Sequence, residues 1–486
     1  MNNLRYRYFD FKSIIKGLFS FILMLVIIYA LALFISSGGI IATGALIGFP
    51  IVSLVILMVF LRPSLGMVLA MILSLTVIGI TRYVDGPLGL SMDGIFALTL
   101  VSSFFNVPKE DRKKLKNSYI LMLSIWLLFV FFQLFNPEAV SSAAWFYASR
   151  QIGLYWIFIA VLTFLVFHSQ KNFEMFIYIF LIGGIVSGLY GVKQLHIGLN
   201  AAENAWLAAG AADEHLLFGK LRVFSFFSDA GQFGAFQAYC LVIAIILSLH
   251  TENFKKRIFY IIAAAVCLYG MLISGTRGAF FVPMTGLMFY LILTKKVRIV
   301  LIGLVFLGGV FCFLKYTYIG QGNYNIQRMR SAVKPSDDAS FQVRLENQQK
   351  MKEYLATRPF GGGIGTAGYW GQRFSPNTFL ARTPTDSYYV RIWCETGIVG
   401  LYLHLFILIF FFVVTFINTW NIRDAMIKQK MMAIYAGALG IAVASYGNQV
   451  ISQMPTTIFF IMSLAYLYIG PEWDKKSQEK IASSKP

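Results

Sequence analysis

Residues 388–418, YYVRIWCETGIVGLYLHLFILIFFFVVTFIN, carry one arginine and one glutamate near their start and no other formal charge. The run exceeds the about 17 to 25 residues that a helix needs to cross a bilayer. Comparable runs recur on both sides of it, near 17–36, 39–61, 66–81, 88–106, 118–135, 150–168, 175–195, 231–249, 258–275, 278–294, 299–316, 431–449 and 455–470. The third, fourth and last are short or interrupted by glycine and polar residues, so the expected count is twelve to fourteen transmembrane helices. Composition agrees. The 486 residues are 58% hydrophobic and 13% charged, with a mean hydropathy of +0.68, whereas a soluble domain is about 45 to 50% apolar and about 25% charged. The expected fold is an all-α polytopic integral membrane protein, with 1–486 a single membrane domain.

The net charge of +19 is read by position before sign. Basic segments occupy alternate loops: 5–16, 109–116, 255–257, 295–298, 423–430 and 475–485, with Arg62 and Lys171 in the same set. Cytoplasmic loops retain Lys and Arg, so both termini are expected in the cytoplasm and the intervening loops outside. This charge needs no nucleic-acid partner. The basic N-terminus with the apolar stretch 17–36 exceeds a signal-peptide core of about 7 to 15 residues, which predicts a retained span. Cys240, Cys267, Cys312 and Cys394 lie in or beside apolar spans at irregular spacing, so they read as packing residues. The five histidines show no metal-ligand spacing, and no metal or cofactor is expected.

Two outward loops, 195–231 and 317–386, are long enough to build a site. Within the second, Phe341, Leu345, Met351 and Leu355 recur near helical spacing, which predicts an amphipathic helix along the outer membrane surface, ended by Pro359. Pro359-Phe360-Gly361-Gly362-Gly363-Ile364-Gly365 follows. Gly363 and Gly365 could bring backbone N–H groups close to an anion, or could simply make a flexible turn. Arg344, Arg358, Arg373, Arg382 and Arg391 share this region although outward loops are ordinarily poor in arginine. Arg277, in SGTRG at 274–278, and Arg222, in LRVFSFFSDAG at 221–231, stand at outer span boundaries. Each could bind a diphosphate bidentately or snorkel to lipid headgroups. Asp386 could cap the following helix or activate an acceptor hydroxyl; the two roles are compatible. Asp93 and Glu395 lie within spans, where ionisable groups pair internally or line a polar cavity.

In their order, Arg222 with 224–230, the 274–278 turn, Arg344, the amphipathic helix, 359–365 and the segment from Asp386 to Leu401 resemble the bacterial O-antigen ligase and O-antigen polymerase superfamily over residues 150–470. The resemblance implies a membrane glycosyltransferase of the GT-C type in the bacterial cytoplasmic membrane. Its donor would be a glycan on undecaprenyl diphosphate. The acceptor would be a hydroxyl of a glycan, of lipid A core or of a protein, joined on the external face in making O-antigen, capsule or exopolysaccharide. Arg222 and Arg277 would hold the leaving diphosphate, Asp386 would orient or deprotonate the hydroxyl, and Arg344 and Arg391, with Gly363 and Gly365, would bind substrate. One departure is visible: many ligases begin a His-x10-Gly segment with histidine, whereas this chain has Asp386 ahead of Gly397. That difference favours a polymerase. A flippase for lipid-linked oligosaccharide is the competing class, but it would show related halves around a midplane site, and no internal repeat is evident.

Overall fold

The computed structural model describes residues 24, 46, 48–84, 86, 88–217, 219–320, 322, 324–333 and 339–483. The chain divides into two units, 1–62 and 63–486. In the first, Gly48–Leu61 is a short apolar helix at the end of the span expected at 39–61. Apart from residue 24, the span expected at 17–36 lies outside the described residues.

The second unit is a multi-pass helical bundle. Seven of its helices are long and apolar enough to cross a membrane: Pro63–Ile80, Ser118–Phe135, Ser142–Val166, Gln170–His196, Ala230–His250, Phe254–Ile273 and Tyr388–Asn421. Leu90–Asn106, Arg277–Leu293 and Val300–Tyr316 are shorter apolar helices. Ala425–Ala444 and Thr456–Ser483 stand where spans are expected at 431–449 and 455–470. The helix expected to open at 150 starts at Ser142 instead, because the Ser141 hydroxyl accepts the Ala144 N–H at 3.2 Å and caps it. It then passes through a π-turn at Arg150–Leu154, a local widening that often marks function. β-Structure among the described residues is one small hairpin, Leu216–Leu217 against Lys220–Leu221.

Ala230–His250 is apolar around its circumference and buried along most of its length, as an all-round hydrophobic helix must be. Its polar side chains are partnered inside the bundle. The Gln237 amide donates to Ser187 Oγ at 2.7 Å, and Tyr239 donates to Ser463 Oγ at 2.8 Å. Beside it, Arg277–Leu293 and Ala425–Ala444 touch backbone to backbone. A Cβ on Gly286 would lie 2.6 Å from the Ala436 carbonyl, and one on Gly440 would lie 2.5 Å from that of Val282. Small residues supply this closeness where lipid removes the hydrophobic drive for helix association.

Tyr388–Asn421, expected as one straight span, is broken at Gly397, whose φ of 67° and ψ of −170° leave the helical region. The 359–363 run enters the break. The Gly362 and Gly363 N–H groups donate to the Cys394 and Glu395 carbonyls at 2.9 and 3.0 Å, and Val399 N–H donates to the Pro359 carbonyl at 3.2 Å. The helix Ala339–Leu355 ends ahead of Pro359. Its Met351 and Leu355 are buried in a small core with Leu380, Val390 and Cys394, while Leu345 is exposed. Its apolar residues therefore grip the broken helix rather than forming one lipid-facing stripe.

Loops gather at two ends of the bundle. At one, basic side chains meet acids and carbonyls: Lys430 with Glu174 at 2.6 Å, Lys114 with Asp111 at 2.8 Å, and Lys295 with the Trp420 carbonyl at 2.9 Å. At the other, the described residues of 195–231, 274–276, 317–387 and 445–455 interlock. There the Gln232 amide donates to the Gln453 carbonyl at 3.1 Å, and Tyr388 N–H donates to the Ser445 carbonyl at 3.0 Å.

Candidate active site

The interlocked end holds two adjoining cavities. The larger, about 1080 Å³, is lined by Arg82, Arg150, Arg222, Arg344, Arg391, Glu214, Asp229 and Asp386 among others. The smaller, about 400 Å³, is lined by Arg277, Arg344 and Asp386 together with Phe281, Phe341, Val390 and Val443. Arg344 and Asp386 belong to both walls.

Asp386 does not cap the helix that follows it. Ser387 is the N-cap, its side chain accepting the Val390 N–H, which corrects the capping role open to Asp386. The strand-like lead-in is pinned by Gln449, whose amide donates to the Thr385 carbonyl at 2.7 Å and to its hydroxyl at 3.1 Å. The free carboxylate instead accepts from Arg344 Nε at 2.9 Å. Both partners are water-accessible, at 33% and 45% exposure, and such pairs are worth about 1 kcal/mol or less. An entering anion or hydroxyl can displace this contact.

Arg222 ties the two outer segments together. Its Nη1 donates to the Glu214 carbonyl at 3.0 Å and its Nη2 to Thr276 Oγ1 at 3.3 Å. Thr276 immediately precedes Arg277, the first residue of the Arg277–Leu293 helix. A cation at a helix N-terminus is opposed by the helix dipole, while the same end favours an anion; Arg277 and the dipole together therefore suit a phosphate better than either suits the other. Above Thr276, Arg328 Nε donates to the Gly275 carbonyl at 3.3 Å, so the long loop docks on this turn.

Arg391 and the glycines are placed differently. Arg391 is buried and pairs with Glu395 one turn on at 3.2 Å, with Gln449 Oε1 accepting from its Nη1 at 3.3 Å; it lines the larger cavity with this charge already matched. Gly363 and Gly365 line neither described cavity. Both have positive φ and press on residues 139 and 144, where a Cβ would come within 2.6 and 2.5 Å of Ala139 and Ala144. The Gly363 N–H donates to the Glu395 carbonyl at 3.0 Å, so this loop turns its backbone towards the broken helix rather than towards an incoming anion.

Sequence reasoning passed over Arg82, Arg150 and Glu214. Arg82 donates to the Ser225 and Phe227 carbonyls and lies 4.3 Å from the Trp206 ring centroid; burial lowers its pKa to about 10, with Glu203 opposing. Arg150 and the Tyr155 hydroxyl, the latter at 2.6 Å, supply the partners for Asp93. Arg82 follows the Pro63–Ile80 span directly, so the boundary position that singled out Arg222 would have found it, whereas Arg150 lies within the Ser142–Val166 helix at its π-turn. Burial and the nearby Asp229 carboxylate push the Glu214 pKa above its ordinary 4.5; Arg222 opposes this and Asp386 reinforces it.

Residues 262–405 match the O-antigen ligase family model. Over 194 residues the chain is 29% identical to the O-antigen polymerase of Salmonella muenchen, an alignment covering 38% of this chain and 45% of that protein. The family match holds Arg277, Arg344, Asp386 and Arg391, the residues around the smaller cavity and the broken helix. Over these stretches the chain is similar to the O-antigen ligase family and to an O-antigen polymerase, of which it spans about half the length.

Proposed function

We propose that this protein is a glycosyltransferase of the bacterial cytoplasmic membrane. It moves a glycan from undecaprenyl diphosphate to an acceptor hydroxyl on the external face, as a surface-polysaccharide polymerase or, with another acceptor, a ligase. The carrying observation is the junction of a polar and a more apolar cavity at Arg344 and Asp386, with Arg222 and Arg277 linked through Thr276. The smaller cavity suits the first part of the polyprenyl chain and the larger suits sugars. Positive charge from Arg222, Arg277 and the helix N-terminus offsets the charge that develops on the diphosphate as its bond to the sugar breaks. Asp386, released from Arg344, takes the proton of the attacking hydroxyl; the products are the lengthened glycan and undecaprenyl diphosphate. The basic residues at the opposite end support the external placement.

Deletion of the gene, with the lipid-linked glycans and surface polysaccharide analysed beside a complemented strain, tests the reading. Accumulated single repeat units without long chains are expected. Long lipid-linked chains that never reach an acceptor would indicate a ligase, and an unchanged profile would refute both.

A further inference from the structure

Part of the lining of the larger cavity is aromatic. Gly368, Tyr369 and Trp370 line it, together with Arg150 and Gln151. The rings belong to a layered stack. Trp370 lies parallel to Tyr147, with centroids 4.9 Å apart and an interplanar angle of 17°, and Tyr147 lies parallel to Phe374 at 5.6 Å and 15°. The Arg150 guanidinium sits 5.0 Å from the Tyr147 centroid and is itself paired with Asp93. Tyr369 stands edge-on to Trp370 at 4.9 Å and 75°, its hydroxyl accepting from Arg373 at 3.4 Å, yet it is 64% exposed. An aromatic belt at the membrane interface explains rings that face lipid. These line a cleft shared with Arg344 and Asp386.

We propose that Tyr369 and Trp370 form a glycan-binding subsite, on which a sugar ring of the chain being extended rests while its hydroxyls meet Arg150, Gln151 and Asp386. The inference builds on the glycan-transfer reading and says where the sugar lies. The C–H face of a pyranose is apolar and its rim is polar, which matches a rigid ring bordered by charged donors and acceptors. Tyr and Trp provide such contact at small conformational cost. The stack beneath Trp370 holds that platform in place before ligand arrives, and this lowers the ordering cost of binding. The smaller cavity, whose rings Phe281, Phe341 and Tyr446 are joined by the aliphatic Val390 and Val443, is left to the lipid.

The test uses full-length protein in lipid nanodiscs. The probe is the producing strain's own polysaccharide, released by mild acid and fractionated by chain length, without any lipid-linked donor. Tyr369→Ala is expected to raise the Kd for the longer fragments about three- to tenfold, the factor that stacking worth roughly 0.7 to 1.4 kcal/mol provides. Tyr369→Phe should stay within about twofold of the parent. Trp370→Phe, which keeps a ring in the stack, should fall between them. Parent-like binding by Tyr369→Ala overturns the subsite. So does unchanged glycan binding accompanied by weaker retention on phosphatidylglycerol vesicles, which would make Tyr369 a lipid anchor. Turnover is scored separately. If wild-type protein binds fragments through Tyr369 but transfers nothing, the subsite stands and the transferase reading falls; if transfer proceeds while Tyr369→Ala binds and turns over as the parent does, the subsite alone falls.

Discussion

Ser387 closes the first turn of the Tyr388–Asn421 helix, which leaves the Asp386 carboxylate to Arg344 and the cavities. The two neighbours should therefore separate stability from chemistry. Ser387→Ala is expected to cost about 1 kcal/mol, the usual loss for an N-cap. Asp386→Ala should change thermal unfolding little, because its partner is a part-exposed arginine, but should slow transfer on the order of 10²- to 10⁴-fold, the span of general-base contributions. Unfolding in nanodiscs and single-turnover transfer by the same preparations check both. Glu214 carries a pH signature. Its pKa is raised in the folded protein by burial and by Asp229, so the folded state binds more protons than the unfolded one, and this contribution is lost as pH rises from about 4.5 through the raised value. Glu214→Gln is thus expected to raise the melting temperature at pH 7 and to leave it unchanged at pH 4. Equal melting at pH 7 would remove Glu214 from the charge balance of the larger cavity. That Arg222, Arg277, Arg344 and Asp386 gather around the cavities was foreshadowed by their place at outer span boundaries and in one arginine-rich outward loop. The place of Gly363 and Gly365 was not, since a glycine's permissiveness does not reveal whether its N–H meets an incoming anion or, as at Gly363, the Glu395 carbonyl.

The broken helix is the element on which the site hangs. Gly397 at φ 67° meets Gly361 at φ 73°, and a Cβ on Gly397 would stand 2.1 Å from the Pro359 carbonyl. A side chain there faces both a left-handed backbone and a filled space. Gly397→Ala should expel the 359–363 run from the break, lower stability by on the order of 2 to 4 kcal/mol, and depress transfer because Arg391 and Asp386 lie in or just before the same first turns. Circular-dichroism melts read alongside transfer rates test this. Retained activity with a large loss of stability would disconnect the break from the site. The break was hidden in the sequence for a physical reason: glycine is common within membrane helices, and what opens this one is a partner from 359–363 that no periodicity within 388–418 announces. The neighbouring helix at 339–355 was visible from its apolar spacing, but spacing alone could not say whether Met351 and Leu355 face lipid or, as found, Leu380 and Cys394.

At the scale of the molecule, the lysine-rich loops and the two candidate cavities occupy opposite ends. Lys114, Lys295 and Lys430 tie down one end, and the two cavities open at the other. This polarity was legible because Lys and Arg retention depends on loop composition alone. The meeting of loops 195–231, 274–276 and 317–387 was not, because it depends on helices from distant parts of the chain packing around Ala230–His250. The reading of the cavities as a donor and acceptor site requires their end to face outward, and this can be measured. Gln372, in the short helix Gly368–Phe374, and Lys113, in the 3-10 turn Asp111–Leu115, are exposed residues at the two ends. With the exposed Cys312 replaced by serine, Gln372→Cys should react in intact cells with a thiol reagent that cannot cross the cytoplasmic membrane, once the outer barrier has been made permeable to it. Lys113→Cys should react only after the cytoplasmic membrane is opened. The reverse pattern would put Arg277 and Asp386 on the cytoplasmic side, where a soluble nucleotide-sugar donor would have access and a lipid-linked glycan already carried outward would not.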